Sequence, residues 1–266
     1  MINNHRLIME FFMTNTVCNI FHNAFRGSYF QVMAHKIWLR IGEHQLRKQA
    51  QEACRWCIER VENDKSFAKS LAPELWQESL EFCTKLEQEA KSKLGELGME
   101  LGGGGHYPLL YFLIRLKKPA VVLETGVAAG FSSQAFLVAL HKNGLGILFS
   151  SDFPYFRLKN PERYIGYLVH ENLRSNWELY IEGDKKNLEK ILPKASNIDF
   201  FCYDSDKSYS GRKYVLERVS AHLSPNAIII MDDIQDNFFF RDYVEAKKIP
   251  YRVFEFHGKF VGIIGI

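Results

Sequence analysis

From Pro119 onward, the sequence alternates short, mainly apolar runs with longer segments of helical pattern. Five such runs are separated by enough chain for a crossover helix: Ala120–Glu124, Gly146–Ser151, Trp177–Glu182, Ile198–Tyr203 and Ala227–Met231. Runs of this kind are typical of strands that are buried on both faces of a parallel sheet. The alternation therefore predicts an α/β fold with a doubly wound, mostly parallel sheet.

The last two apolar runs are connected differently. Tyr251–Phe256 and Lys259–Ile264 are joined only by His257 and Gly258. A connection of this length fits a hairpin but is too short for a crossover between parallel strands. The prediction is thus a seven-stranded sheet that ends in an antiparallel C-terminal hairpin.

The N-terminal part of the chain has a helical pattern instead. We expect residues 1–101 to form an N-terminal helical extension and residues 102–266 to form a second domain, with the glycine run Gly102–Gly105 as the joint. Apolar residues recur at helical spacing in 46–61 and in 74–94. Leu7–Phe21 is predicted to be an amphipathic helix that covers its own domain; packing on a second copy in a homodimer, or on a membrane surface, is the alternative.

Composition and charge narrow the range of functions. Hydrophobic residues make up 47% of the chain and Lys plus Arg exceed Asp plus Glu by only 34 to 31, which indicates a globular protein and gives no basis for a nucleic-acid partner. No segment reaches the roughly 18 uncharged apolar residues of a transmembrane span. The five cysteines show no paired spacing, so we expect reduced thiols and a cytoplasmic location, with Cys54 and Cys57 as apolar side chains of one helix.

The turn after the first predicted strand is the first candidate site. It contains Glu124, Gly126, Gly130 and Ser132. The glycines allow a sharp turn and a close approach to a ligand, and Glu124 at the strand end can receive a cationic amine. The spacing is E-x-G-x-x-x-G, not the dinucleotide pattern G-x-G-x-x-G, and an acid at this point would repel a pyrophosphate. The turn therefore favours a ligand with a positive ammonium group.

Acidic residues also follow the next two strands. Asp152 ends the second strand, where a carboxylate can accept both hydroxyls of a ribose. Asp184 follows the third strand. It accepts either from an adenine amino group or from the first amides of the next helix, as a cap.

Three more carboxylates, Asp204, Asp232 and Asp233, follow the fourth and fifth strands. Neighbouring parallel strands bring them to one edge, where they repel one another unless a cation lies between them. A divalent cation with oxygen ligands, such as Mg²⁺, is one solution. The other is a set of caps and loop hydrogen bonds, with Lys207 neutralising part of the charge.

Together, these residues resemble a class I S-adenosylmethionine-dependent methyltransferase. The resemblance covers about residues 103–266 and is strongest to the group that includes sugar O-methyltransferases of macrolide and aminocoumarin biosynthesis. It rests on the motif E-T-G-V-A-x-G-F-S-S from Glu124, on D-S-D-K-S-Y from Asp204, and on Met231–Ile234 with Asn237 shortly after.

The resemblance implies a role for each motif. Glu124 and Gly126 would hold the methionine end of S-adenosylmethionine, Gly130 and Ser132 would lie in the adjoining turn, and Asp152 would hold the ribose. Asp204, Asp232 and Asp233 would ligate Mg²⁺, with Asp206 as general base. Lys207 stands where the family usually has His, and it would take the proton only if burial lowers its pKa. The N-terminal helices would form a lid or dimer contacts.

The resulting hypothesis is metal-assisted O-methylation of a small hydroxylated acceptor, such as a sugar or another natural product. One alternative is a non-catalytic protein that binds S-adenosylmethionine or acts as a scaffold, suggested by Lys207 and by the unmatched N-terminal region. The other is a nicotinamide-dependent oxidoreductase, against which the absent G-x-G-x-x-G and the hairpin argue. His106, beside the glycine run, is expected at the surface.

Overall fold

A computed structural model of the protein describes residues 16–26, 29, 30, 33, 43–98 and 101–266. Within these ranges, helices cover both faces of an eight-stranded mixed sheet. The helices are α1 (16–24), α2 (Glu43–Ile58), α3 (Asp64–Leu71), α4 (Pro73–Leu97), α5 (Tyr107–Lys117), α6 (Phe131–Asn143), α7 (Asp184–Ile191), α8 (Tyr209–Ser220) and α9 (Phe239–Lys247). The strands are β1 (Val61–Glu62), β2 (Val121–Thr125), β3 (Ile147–Ser151), β4 (Trp177–Tyr180), β5 (Ile198–Tyr203), β6 (Leu223–Met231), β7 (Tyr251–Phe256) and β8 (Lys259–Ile264).

The strand order across the sheet is β1-β7-β8-β6-β5-β2-β3-β4. Strands β2 to β6 are parallel, whereas β8 is antiparallel to both β6 and β7. The predicted doubly wound sheet and its C-terminal hairpin are therefore confirmed. The eighth strand, β1, pairs in parallel with β7 through two residues, which is too short for any periodicity to reveal in the sequence.

Successive residues of each central strand enter different cores. Val122 and Phe200 pack in the core beneath α4, α5 and α6, while Leu123 and Phe201 pack in the core on the other face, with residues of α2, α7, α8 and α9. Both faces are covered, which is why these strands are apolar rather than alternating. The chain reverses its winding at β2, whose neighbours are β3 and β5, and ligands of open α/β sheets bind at such a switch point.

The N-terminal helices share these two cores. In α4, the Trp76 ring lies 5.8 Å from the Phe112 ring, and the buried Ser79 hydroxyl donates to the carbonyl of Pro108 at 2.6 Å. In α2, the Trp56 indole donates to Glu245 at 3.0 Å on the other face. The predicted boundary at residue 101 thus marks a change of sequence pattern within continuous cores. Of the predicted helix Leu7–Phe21, residues 7–15 lie outside the described ranges, and 16–21 are helical.

His106 is buried, so the expectation of a surface histidine is wrong. Its side chain is 2% exposed and stacks on Phe256 at 4.5 Å. Nδ1 accepts from the backbone amide of Leu109 at the start of α5, which leaves the proton on Nε2, 3.1 Å from the Asp64 carboxylate. A polar residue before an apolar helix served here as its N-cap.

All five cysteines are free thiols, as predicted. Cys57 is completely buried, and burial raises the pKa of its thiol to about 12, which suits an inert core side chain. Among the described residues, none of the helices combines the length and apolar character that crossing a bilayer requires.

Candidate functional site

The turn between β2 and α6 needs its two glycines. Gly126 has φ +89°, and a Cβ there would lie 2.3 Å from the carbonyl oxygen of Asp204. Gly130 has φ +97°, and its Cβ would lie 2.9 Å from the Cα of Gly166. Positive φ and close backbone contacts both exclude a side chain. The glycines predicted for a ligand turn thus also hold the turn against two neighbouring loops.

Glu124, at the end of β2, lies under this turn with 0% exposure. Its carboxylate accepts hydrogen bonds from the hydroxyls of Ser132, Ser133 and Ser150, the last two at 2.6 and 2.9 Å. Burial raises the pKa of Glu124 to about 7, although the three hydroxyls act to lower it. Glu124, together with Ser132, therefore holds the turn from below; its predicted contact with a ligand amine stays a prediction.

Asp152 follows β3 and crosses to the same turn. Its Oδ2 accepts from the backbone amides of Val127 and Ala128 at 2.9 and 2.7 Å, and its Oδ1 accepts from that of Phe153 at 2.6 Å. The carboxylate is only partly buried, at the carboxyl edge where ribose recognition was predicted. The structure therefore brings the predicted ribose residue and the glycine turn together.

Asp184 is the first residue of α7, whose N-cap is Gly183. Its carboxylate accepts from the Ser151 hydroxyl at 2.6 Å and also bonds Ser205. It thus reaches across the sheet edge rather than back to the helix amides. Burial raises the pKa of Asp184.

A residue that the sequence analysis missed, Asn187, anchors this edge. Its buried amide donates to the Ser151 hydroxyl and to the carbonyls of Asp152 and Tyr180, all at 2.9 to 3.0 Å. Its oxygen accepts from the Glu182 amide. The only signal in the sequence was an Asn in the first turn of a helix, which is too common to single out.

Asp204, Asp232 and Asp233 converge as predicted. One oxygen from each lies within 4.8 Å of the other two. The side chain of Lys207 lies among them: its Nζ contacts Asp204, is 3.1 Å from Asp233 and is 3.8 Å from Asp232. Lys259, from β8, adds a second ammonium 3.1 Å from Asp233. We call these three carboxylates and Lys207 the acidic cluster.

The charges of the acidic cluster determine each other's pKa. Burial acts to lower the pKa of Lys207, but the three carboxylates raise it above its ordinary value. The raised pKa favours the ammonium form of Lys207, which is the opposite of the condition under which it was predicted to take a proton. Burial and the neighbouring Asp204 raise the pKa of Asp232. Burial also disfavours the charge on Asp233, yet Lys207 and Lys259 lower its pKa overall.

Arg212, which the sequence analysis also missed, supports the acidic cluster from below. Its guanidinium is 1% exposed and donates to the carbonyls of Asp232 and Asp233 at 2.9 and 2.8 Å. Asn237, noted in the motif after β6, donates to the carbonyl of Lys207 at 2.7 Å. A buried Arg in α8 gave no signal because a helix normally carries Arg on its solvent face.

Asp206, the predicted general base, points to α8. Its Oδ1 accepts from the Ser208 amide at 2.9 Å, and a Cβ on Gly211 would lie 2.4 Å from its Cγ. The carboxylate is thus held at a helix N-terminus, where the helix dipole favours a negative charge. Its predicted role as a base stays a prediction.

A cavity of about 370 Å³ lies beside the glycine run Gly102–Gly105. It is bounded by α4, Phe131, His257 and two residues of the glycine run, Gly103 and Gly104. The next residue, Gly105, lies against Asp232, where a Cβ would be 3.4 Å from Cγ. The glycine run therefore contacts the cavity through Gly103 and Gly104 and the acidic cluster through Gly105.

Two ligands were predicted for this edge, and the residues suit them differently. Backbone amides of a glycine turn, with the carboxylates of Asp152 and Asp184 at adjoining strand ends, are a fitting donor and acceptor set for S-adenosylmethionine. Three carboxylate oxygens are a fitting set for Mg²⁺, but Lys207 already lies among them. A divalent cation does not fit while that ammonium is in place.

The comparisons with known proteins agree with this geometry. The family model described as a methyltransferase domain matches residues 123–234, which span β2 to the end of β6, the glycine turn and the acidic cluster. No sequence among curated proteins matches the chain.

Several solved structures share the fold. An O-methyltransferase from Bacillus cereus in complex with SAH aligns at 17% identity and a TM-score of 0.53, over 69% of this chain and 91% of its own. TomG from Streptomyces achromogenes is an O-methyltransferase involved in tomaymycin synthesis and was solved with SAM. It aligns at 17% identity and a TM-score of 0.51, over 68% of this chain and 88% of its own. A methyltransferase from Geobacter sulfurreducens aligns at 21% identity and a TM-score of 0.50, over 69% of this chain and 89% of its own.

The resemblance found in the sequence is therefore confirmed at the level of the class. The family match covers the strand ends that carry the motifs, and the sheet has the order and hairpin of that fold. Residues 123–234 thus match a methyltransferase domain, and the sheet around them has the class I methyltransferase fold.

Proposed function

We propose that the protein transfers a methyl group from S-adenosylmethionine to a hydroxyl oxygen of a small acceptor, such as a sugar or another natural product. The observation that carries the proposal is the adjacency of two differently built regions at one sheet edge. The glycine turn with Asp152 offers backbone amides and a carboxylate, and the acidic cluster beside it offers fixed charges. The glycine run Gly102–Gly105 connects that cluster with a cavity. The O-methyltransferases among the structures of similar fold support it.

The chemistry asks mainly for alignment. S-adenosylmethionine supplies a methyl group that is already activated on a positive sulfur. The residues of this chain then hold the cofactor and bring the acceptor oxygen in line with the bond between sulfur and methyl carbon. In our proposal, Glu124 and Gly126 hold the methionine end of the cofactor, with Gly130 and Ser132 in the adjoining turn. Asp152 holds the ribose and Asp184 the adenine, and Asp206 takes the proton of the acceptor hydroxyl.

The test compares two aspartates with the same local bonding. Asp152 accepts two backbone amides at the carboxyl edge, and Asp199 accepts the amides of Ala120 and Val121 at the opposite edge. We expect Asp152→Asn to weaken S-adenosylhomocysteine binding by at least about tenfold, measured by titration calorimetry, because charge-assisted bonds are the stronger ones. Asp199→Asn should leave binding unchanged.

Formation of S-adenosylhomocysteine with hydroxylated acceptors then separates the enzyme from its alternatives. Binding without turnover on any acceptor would favour the non-catalytic or scaffold function. No binding by the wild type, or equal weakening by both substitutions, would contradict the cofactor site. Binding of NADH instead would revive the oxidoreductase.

We also propose that the N-terminal helix mediates a homodimer in the cytoplasm. The supporting observation is a row of exposed apolar side chains: Val17 is 48% exposed, Phe21 62% and Phe25 85%. Exposed apolar patches of this kind are typical of protein contacts. Sedimentation velocity should show a dimer that Phe21→Ser with Phe25→Ser converts to a monomer; a monomeric wild type would contradict the proposal.

A further inference from the structure

We propose that the ammonium group of Lys207 takes the place of a divalent cation among Asp204, Asp232 and Asp233, so that the acceptor end of the site works without a bound metal. This proposal rests on the proposed function in one respect only, because that function identifies the acidic cluster as the end of the site that receives the acceptor. The arrangement of the four side chains, and the experiment below, are independent of activity.

The first argument is position. Lys207 Nζ forms ion pairs with all three carboxylates, two of them within 3.1 Å or less. A Mg²⁺ ion held by the same oxygens would need contacts of about 2.0–2.1 Å to each. Such an ion would overlap the ammonium, and two cations at that separation repel strongly. The carboxylates can therefore hold one or the other.

The second argument is that Lys207 is fixed at both ends. Its carbonyl accepts from Asn237 at 2.7 Å and from the Nε of Arg212 at 3.4 Å. The same guanidinium holds the carbonyls of Asp232 and Asp233. One buried side chain thus fixes the backbone of Lys207 and the backbone of the two aspartates whose carboxylates face its ammonium, so less entropy is lost when they pair.

The third argument is charge. Asp204, Asp232 and Asp233 carry three negative charges when ionised, and Lys207 and Lys259 return two positive charges. If Lys207 is removed, three converging carboxylates retain a single ammonium at their rim, because Lys259 is 55% exposed. That remaining set has the charge and the oxygen ligands that a divalent cation prefers.

The experiment measures Mn²⁺ binding by the loss of the electron paramagnetic resonance signal of the free ion. The full-length wild type is compared with Lys207→Ala and with Lys207→Met, which keeps most of the side-chain volume if the smaller substitution unfolds the protein. Lys259→Ala is the matched control, because it removes an ammonium from Asp233 but leaves Lys207 in place.

We expect either Lys207 variant to bind one Mn²⁺ ion per chain at this site, at least about tenfold more tightly than the wild type or Lys259→Ala. Asp204→Asn added to the Lys207 variant should abolish that binding. Wild-type binding that Asp204→Asn removes would overturn the proposal, since the metal would then displace the lysine. Folded Lys207 variants that bind no Mn²⁺ would overturn it too.

S-adenosylhomocysteine calorimetry on the same samples separates this proposal from the proposed function. Cofactor binding fails if the methyltransferase function is wrong, whatever the Mn²⁺ result. If the cofactor binds and methyl transfer is found, EDTA should leave the wild-type rate unchanged. A rate that EDTA abolishes and Mg²⁺ restores would contradict the role of Lys207.

Discussion

Two neighbouring regions at the carboxyl edge of the sheet stabilise buried carboxylates in different ways: the turn half, which is the glycine turn over Glu124, and the lysine half, which is the acidic cluster around Lys207. In the turn half, Glu124 is fully buried with no cation and is satisfied by three serine hydroxyls. In the lysine half, three aspartates surround an ammonium. The hydroxyls offset only part of the cost of burying a charge, so the pKa of Glu124 rises to about 7. Two ammonium groups offset it for Asp233, whose pKa falls, whereas the pKa of Asp232 still rises because of burial and the neighbouring Asp204.

The difference teaches that an acid at a strand end is not by itself a ligand site. Glu124, the last residue but one of β2, and Asp204, which follows β5, lie at the same edge of the sheet. The first is closed under its own turn, and the second is paired with a lysine three residues away. Whether such an acid is closed under a turn or paired with a cation depends on which side chains pack against the edge of the sheet.

Gly126→Ala should disturb both halves and have the largest effect. A Cβ would lie 2.3 Å from the Asp204 carbonyl oxygen at φ +89°, so the turn and the acidic cluster would have to move apart. We expect a loss of about 3–4 kcal/mol in the free energy of unfolding by urea. Gly144→Ala is the control: its φ is +69° with open space around it, and it should cost only about 1 kcal/mol. Equal losses would contradict the contact between the halves.

Arg212→Met should break the lysine half alone. It leaves the carbonyls of Asp232 and Asp233 without their buried donor, which we expect to cost about 3 kcal/mol in urea unfolding. Arg218→Met, on the exposed side of the same helix, should change stability by less than about 0.5 kcal/mol. If Arg212→Met lowers the free energy of unfolding by no more than Arg218→Met does, the guanidinium of Arg212 does not stabilise the acidic cluster.

Glu124→Gln should change how the free energy of unfolding depends on pH, through the turn half alone. The pKa of Glu124 is about 7 in the folded protein against 4.5 for the ordinary group, so the folded state keeps its proton longer and wild-type stability falls as pH rises between these values. The variant lacks this loss. We measure the free energy of unfolding by urea for both proteins at pH 5 and at pH 8. The value for the variant, relative to that for the wild type, should rise between these two pH values by no more than about 3 kcal/mol. A difference that does not change with pH would refute the raised pKa.

Ser133→Ala should have the smallest effect. It removes one of three hydroxyls from Glu124 and should cost about 1 kcal/mol at pH 8, and less at pH 5, where the carboxyl is protonated. Ser220→Ala, whose hydroxyl bonds only an exposed carbonyl, is the matched control and should change stability equally little at both values. A pH-independent cost for Ser133→Ala would argue against its bond to the charged carboxylate.

The fold was largely predictable because strand and helix periods are local. The runs at Ile198–Tyr203, Tyr251–Phe256 and Lys259–Ile264 match the strands residue for residue, and the convergence of Asp204, Asp232 and Asp233 followed from parallel neighbours. The directions of side chains were not predictable. Whether Glu124 faces a ligand or three serines depends on residues up to 26 positions away, and no single-sequence pattern records such contacts.

The misses have the same origin. Arg212 and Asn187 look like ordinary helix residues until the loops that they support are known. Lys207 was recognised as a source of charge, but a sequence does not show that its ammonium reaches all three carboxylates. Contacts that join three or four loops are tertiary by nature, and they decide the chemistry of this edge.

The two-residue strand β1 has a consequence for how the chain avoids self-association. Without Val61 and Glu62, β7 would end the sheet and leave a six-residue row of unpaired amides and carbonyls, which can template pairing with another molecule. With them, the sheet ends in a strand too short to template anything, and Glu62 is tied to Arg252 by an ion pair. A truncated chain that starts after residue 62 would lose this cover, together with the side chains that α2 buries in the core, and should therefore aggregate.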